Sequence, residues 1–221
     1  MFVLAIILSG KRMVRAEFME KVFALFFPDL REGYTIRRLS ILAGISYDAT
    51  YRVVQHLVRT GALIETRIGA SSRISINFSN ERARKIVEIV SLGRTESFLS
   101  KDTIRRSMVQ ELVRELDREA TNELLSVVLF GSHAKGTQTE GSDCDVLIIT
   151  STFDVSERLD RVCSGIEGRY GIPISPLVTT AVEFRKMLES KTRTVAHEVV
   201  VDGIVLHGYE RYYSIIFGAL A

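Results

Sequence analysis

Residues 127–150 read VVLFGSHAKGTQTEGSDCDVLIIT, and no other stretch restricts the fold as tightly. An apolar strand pattern breaks at Gly131-Ser132, a polar loop follows, and Asp143 and Asp145 open a second apolar strand. Residues two apart in a strand share a face, so the two carboxylates converge while Cys144 turns away. Such a pair can hold a divalent cation. Gly131 allows close approach of the backbone to a ligand, and Ser132 with the amides of the following turn or helix can donate to phosphate oxygens. The set suits Mg²⁺-nucleotide chemistry, because Mg²⁺ takes one or two carboxylates together with substrate phosphates and water.

The chain has 221 residues, 46% of them apolar, which is enough for two domains with their own cores. We expect these to be residues 1–95 and 96–221. Residues 1–95 carry 15 Lys/Arg against 8 Asp/Glu, and residues 96–221 carry 14 against 19. That asymmetry suits a basic half that meets a polyanion and an acidic half that holds metal. Two cysteines, Cys144 and Cys163, make no disulfide framework and no zinc-site spacing, so a cytoplasmic setting is the simplest expectation. The opening MFVLAIIL is too short to span a bilayer and lacks the flanks of a secretory signal, so no membrane role is expected. It reads as a buried strand, a helix start, a dimer contact, or residues ahead of a true start at Met13 or Met19.

The first half alternates helix and turn signals before a hairpin. Met19 to Phe27 has a helical apolar pattern ended by Pro28. Ile36, Leu39, Leu42 and Ala43 give a second helix, closed by Gly44. Ser46 caps a third, Tyr47 to Arg59, with Val53, Val54, Leu57 and Val58 inward and Gly61 after it. Alternation at Ile64, Thr66 and Ile68, then at Ile74, Ile76 and Phe78, around Gly69-Ala70-Ser71-Ser72, makes a hairpin. The order resembles winged helix-turn-helix regulators over about Met19 to Phe78. The resemblance implies double-stranded DNA as partner. Tyr47, Thr50, Tyr51, Arg52 and Gln55 would face the major groove and Arg67 and Arg73 the wing contacts, with Arg37, Arg38 and Arg59 on phosphates.

A helical connector from Asn80 to Val90 is expected to stop before Gly93. Asp102 to Glu119 follows as a helix with Ile104, Met108, Leu112 and Leu116 on one face, and a homodimer is compatible with this long connector. Beyond the strand Val146 to Thr150, the pattern gives a helix near Val155 to Arg169, a strand near Ile174 to Thr179 and a helix near Ala181 to Glu189. A helix Thr194 to Val201 and a short strand within residues 202–208 follow. Alternating elements imply an α/β (α+β) domain, a mixed sheet flanked by helices.

From Leu124 to Gly208 the chain resembles the polymerase-β-like minimal nucleotidyltransferases. Gly131, Ser132, Asp143 and Asp145 carry the likeness, with Ala134 and Lys135 where that family has a small and a basic residue. The resemblance implies Asp143 and Asp145 as catalytic metal ligands for Mg²⁺, and Gly131, Ser132 and Lys135 as contacts to an NTP, expected to be ATP. His133 reads as an exposed loop residue. Transferring members generally add a third carboxylate on the later strand, here GIPISPLVTT, where Ser175 stands; Glu183 would substitute only if the strand register were different. Two functions follow as expectations. One is a DNA-associated nucleotidyltransferase whose hydroxyl acceptor is a protein such as a partner toxin, a nucleic acid end or a small hydroxylated molecule; the other is a winged-helix transcription regulator whose degraded domain senses nucleotide.

Overall fold

The structure is a computed structural model that describes residues 16–27, 29–69 and 71–221. The apolar opening segment, Pro28 and Ala70 therefore lie outside the described residues. The chain divides into two compact units, residues 1–90 and 91–220.

In the first unit α1 (Ala16–Ala24), α2 (Ile36–Ala43) and α3 (Tyr47–Arg59) precede a hairpin of β1 (Leu63–Ile68) and β2 (Ser71–Ile76). Local chemistry fixes the helix ends. The Thr35 hydroxyl accepts from the Arg38 amide and the Ser46 hydroxyl from the Ala49 amide, which supplies partners for otherwise orphaned first-turn donors. Gly44 ends α2 in the left-handed conformation, at φ 63°. The α1 helix starts earlier than its apolar pattern suggested and gives way to a turn at residues 25–27. The inward stripe of α2 is Ile36, Leu39 and Ser40, whereas Leu42 is exposed. Six residues on from Ile36 at about 100° per residue, Leu42 points away from that stripe, while Ser40 falls within it. Strand pairing runs from Leu63↔Ile76 to Ile68↔Ser71, so Ser71 and Ser72 belong to the strand and not to the turn. Tyr34 adds a bridge to Ile74 through two backbone hydrogen bonds.

α4 (Glu81–Leu99) runs from the first unit into the second without a break at Gly93. A mid-helix glycine costs about 1 kcal/mol relative to alanine. Val90, Ser91, Thr95 and Phe98 are buried on either side of it, and that continuing face outweighs the cost.

The second unit is built on a four-stranded sheet in the order β5-β4-β3-β6. β3 (Leu124–Phe130) pairs antiparallel with both β4 (Cys144–Thr150) and β6 (Ile204–His207), and β4 pairs parallel with β5 (Ile174–Thr180). β3 and β4 read as nearly unbroken apolar runs because both faces of the sheet are covered. α5 (Thr103–Glu119) and α7 (Ser156–Tyr170) cover one face, where Met108, Leu112, Leu116, Leu159 and Ile166 pack on Val127, Leu129, Cys144, Val146 and Ile148. Truncating Leu112 or Leu116 to alanine there costs about 2–5 kcal/mol. On the other face α8 (Ala181–Glu189), α9 (Val195–Asp202) and α10 (Tyr209–Leu220) bury Phe184, Val199, Tyr212 and Phe217.

Ile104 is 65% exposed and does not share the buried stripe of α5, where Val109 stands instead. A four-residue spacing drifts by about 40° per step, so Ile104 has rotated well away from Leu116. α10 was absent from the sequence reading, although Tyr212, Tyr213, Ile216 and Phe217 recur at helical spacing and are all buried.

Candidate functional site

Phe130 pairs with Asp145 across β3 and β4, and the chain turns at Gly131 straight into the five-residue helix α6 (Gly131–Lys135). Gly131 has a φ of 67°, and a Cβ on it would collide with Oδ2 of Asp145. Only glycine satisfies both demands, a left-handed backbone and no side chain. Phe130 offers no side-chain cap, so the first-turn amides of α6 have no side-chain acceptor from their own N-cap. Ser132 is half-buried in that same turn.

Asp143 is exposed just ahead of β4, Asp145 is half-buried, and Cys144 between them is buried in the sheet core with its thiol pushed up to about 12 by desolvation. Burial first, and then the charge of Asp143, raise the pKa of Asp145, while His133 acts in the opposite direction. Two carboxylates close enough to repel, one partly desolvated, form a donor pair that a hard divalent cation would relieve. Among the described residues no group of three or more His, Cys, Asp or Glu is assembled for a metal, so protein carboxylates would leave much of an octahedron to substrate and water.

The parallel register sets Ser175 directly beside Asp145. Paired residues of parallel strands point to the same face, so serine occupies the position alongside the half-buried carboxylate. Glu183 is no substitute. It lies beyond Thr180, about 16 Å along the strand from Ser175, at the far end of the sheet from Asp143 and Asp145.

Two neighbours of the turn differ from expectation. His133 is 8% exposed, and its Nε2 lies 3.0 Å from the Ser142 carbonyl, tying α6 to the loop that delivers Asp143. Its burial follows from the short α6 folding back on that loop. Lys135 is engaged with Asp202 at the end of α9, Nζ to Oδ2 3.2 Å. Asp202 escaped the sequence reading because nothing in its local pattern marks a contact with residue 135; an acidic residue in the last turn of a helix was the available signal.

The candidate DNA-facing residues lie in the first unit and are not equally presented. Tyr47 and Tyr51 are about half exposed and stacked, with ring centroids 6.4 Å apart, and Arg52 beside them is exposed. Thr50 is fully buried and its hydroxyl donates to the Ser46 carbonyl at 3.0 Å, so it holds the helix start and cannot read a base edge. It falls on the face shared with Val53, Val54 and Leu57, which explains the burial. Gln55 is half-buried and donates to Glu65 at 3.2 Å. Arg67 is exposed opposite Ser72, close to the turn of the hairpin. Arg73, placed opposite Thr66, lies over Gly33 and pairs with Glu32 at 3.5 Å, so it stands back from the tip.

The raised pKa of Asp145 has a defined consequence for stability. An acid whose pKa is higher in the fold than in the unfolded chain is penalised when ionised; the penalty is absent below the ordinary carboxyl value of 3.8 and complete above the folded pKa. Metal-free Asp145→Asn is therefore expected to melt above the parent at pH 7, with the difference shrinking as the pH falls towards 4 in thermal scans. A variant that melts lower at pH 7 would contradict this electrostatic picture.

A family model described as "Nucleotidyltransferase domain" matches residues 109–197, which include Gly131, Ser132, Asp143, Asp145 and Ser175. Two similar proteins from Methanocaldococcus jannaschii are each named as a candidate protein adenylyltransferase. MJ1305 is 33% identical over 78 residues, 33% of this chain and 52% of its own length, so the chain spans about half of that relative. MJ0604 is 31% identical over 80 residues, 36% of this chain and 78% of its own length. A solved structure titled "Crystal structure of the toxin-antitoxin with AMP-PNP" aligns over 49% of this chain and 82% of that one at 16% identity. Its TM-score of 0.35 carries no argument. With a third of the positions identical across most of MJ0604, and with the family model spanning the turn at Gly131 and both aspartates, the chain belongs to the nucleotidyltransferase-domain family.

Proposed function

We propose that the second unit binds ATP with Mg²⁺ and transfers the adenylyl group to a hydroxyl acceptor on a protein, and that the first unit is a winged helix-turn-helix that holds the molecule at duplex DNA. The transferase part is carried by one observation: the close packing of Asp145 on Gly131, which puts an acidic pair and an open helical turn at the same strand end. Asp143 and Asp145 would hold Mg²⁺, whose preference for oxygen donors they meet. Bound there, the ion would neutralise triphosphate charge and the charge that develops during in-line displacement. The chain's own groups would do the rest. Gly131 leaves room for the Asp145 carboxylate, while the Ser132 hydroxyl and the first-turn amides of α6 donate to phosphate oxygens. Lys135 adds a mobile positive charge. The acceptor oxygen would attack the α-phosphorus, the bond to the bridging oxygen would break, and pyrophosphate would leave. The names of the two archaeal relatives support ATP as donor and protein as acceptor.

Ser175 beside Asp145 favours a second reading, in which the domain binds nucleotide without turning it over. A serine hydroxyl is a poor general base near neutral pH, so the acceptor would have to lose its proton unaided. Incubation with Mg²⁺ and ATP labelled at the α-phosphate separates the two. The transferase reading expects label on an acceptor protein with release of pyrophosphate, both abolished in Asp143→Asn. Calorimetric binding of Mg²⁺-ATP without label transfer from any acceptor would leave the sensor. No binding at all would reject both.

The DNA part draws on the stacked, exposed Tyr47 and Tyr51 beside Arg52 and on the excess of basic residues in the first half. Duplex binding is expected to weaken steeply with salt and to fall when Arg52 or Arg67 is replaced by alanine. Arg73→Ala should change it less than Arg67→Ala, because Arg73 lies over Gly33, back from the tip of the hairpin. Fluorescence anisotropy on a labelled duplex checks all three; absence of binding at low salt would make the first unit a protein-docking module.

A further inference from the structure

Lys135 ends α6, the short helix that begins at Gly131, and Asp202 ends α9; their ion pair, 3.2 Å from Nζ to Oδ2, ties the two together. Helix physics alone does not favour an acid at that place. A carboxylate in the last turn meets the negative end of the helix dipole and the free carbonyls. Cations compensate Asp202. Lys135 does so by contact, and Arg94 of α4 does so through its charge: burial lowers the Arg94 pKa, and Tyr213, Tyr212 and Asp202 oppose that shift. Asp202 is thus paired with Lys135 and feels the charge of Arg94. The Lys135 and Asp202 side chains are 42% and 33% exposed, so their pairing is screened and weak, and a flexible lysine can exchange its partner.

We infer that Asp202 is a positioning residue that sets nucleotide affinity by competition: its carboxylate holds Lys135 in the free protein, and the phosphates of an incoming nucleotide take Lys135 from it. The inference rests on the reading of Gly131, Ser132 and Lys135 as the phosphate-binding segment. Both contacts are charge-assisted, but a triphosphate carries several negative charges against the single charge of Asp202, so the exchange runs towards the nucleotide. Arg94 remains to compensate Asp202 after Lys135 has moved. Lys135 then contributes to binding only the surplus of phosphate over Asp202, and removal of the competitor releases the remainder.

Calorimetry of the full chain with Mg²⁺-ATP and with adenosine tests this on the parent, Asp202→Asn, Lys135→Ala and the double variant. Asp202→Asn should bind Mg²⁺-ATP about two- to fivefold more tightly, with its affinity for adenosine unchanged. The gain should vanish in the Lys135→Ala background, a coupling that a merely structural role for Asp202 would not produce. The inference is overturned if Asp202→Asn binds Mg²⁺-ATP no better than the parent, or if the gain persists without Lys135. If the parent binds no Mg²⁺-ATP, the nucleotide reading itself falls and takes this inference with it; if the parent binds and the variant matches it, only this inference falls.

Discussion

Asp145 lies against the bare α-carbon of Gly131, and the arrangement of the second unit depends on that approach. The left-handed backbone at Gly131 lets β3 end and α6 begin within a single residue. Without a side chain there, the carboxylate at the start of β4 sits inside the turn and is not pushed off it. Alanine at this position would meet both the conformational penalty and the collision. The sheet register adds a further constraint. Phe130 lies opposite Asp145 on one side and Ser175 on the other, and the acid is partly desolvated, with the charge of Asp143 close by. The raised pKa of Asp145 records the same frustration that a divalent cation would relieve.

That register also decides between alternatives left open by spacing alone. Glu183 looks near enough in sequence to replace a missing third acid, but β5 runs parallel to β4 and carries it to the opposite end of the sheet. Serine alongside Asp145 is therefore a property of the fold. Under the proposed transferase reading the acceptor hydroxyl would need little help to ionise; under the sensor reading no such help would be needed.

Much of this was legible in the sequence, for physical reasons that can be named. Strands covered on both faces read as apolar runs, so β3 and β4 stood out, and Ser46 with the stripe Val53, Val54 and Leu57 marked α3. Less legible were features that depend on rotation and on distant partners. Leu42 and Ile104 fit a loose helical period but turn outward once the residue-by-residue rotation is followed, and Thr50 turns inward. Gly93 reads as a break, yet buried residues on both sides carry α4 through it. His133 against Ser142, Lys135 against Asp202 and Arg73 over Gly33 join residues that no local pattern links. These contacts change which polar groups are available to a ligand, which is why the candidate residues were easier to nominate than to rank.

The central claim is that Asp143 and Asp145, set by Gly131, form a divalent-metal site completed by nucleotide phosphate. Diffraction from crystals grown with Mn²⁺ and a non-hydrolysable ATP analogue, with data collected at the manganese absorption edge, tests it most directly. The predicted result is an anomalous peak in contact with oxygens of both Asp143 and Asp145 and of the analogue's phosphates. Nucleotide density at Gly131 and Ser132 without such a peak, or manganese bound only elsewhere, would contradict it.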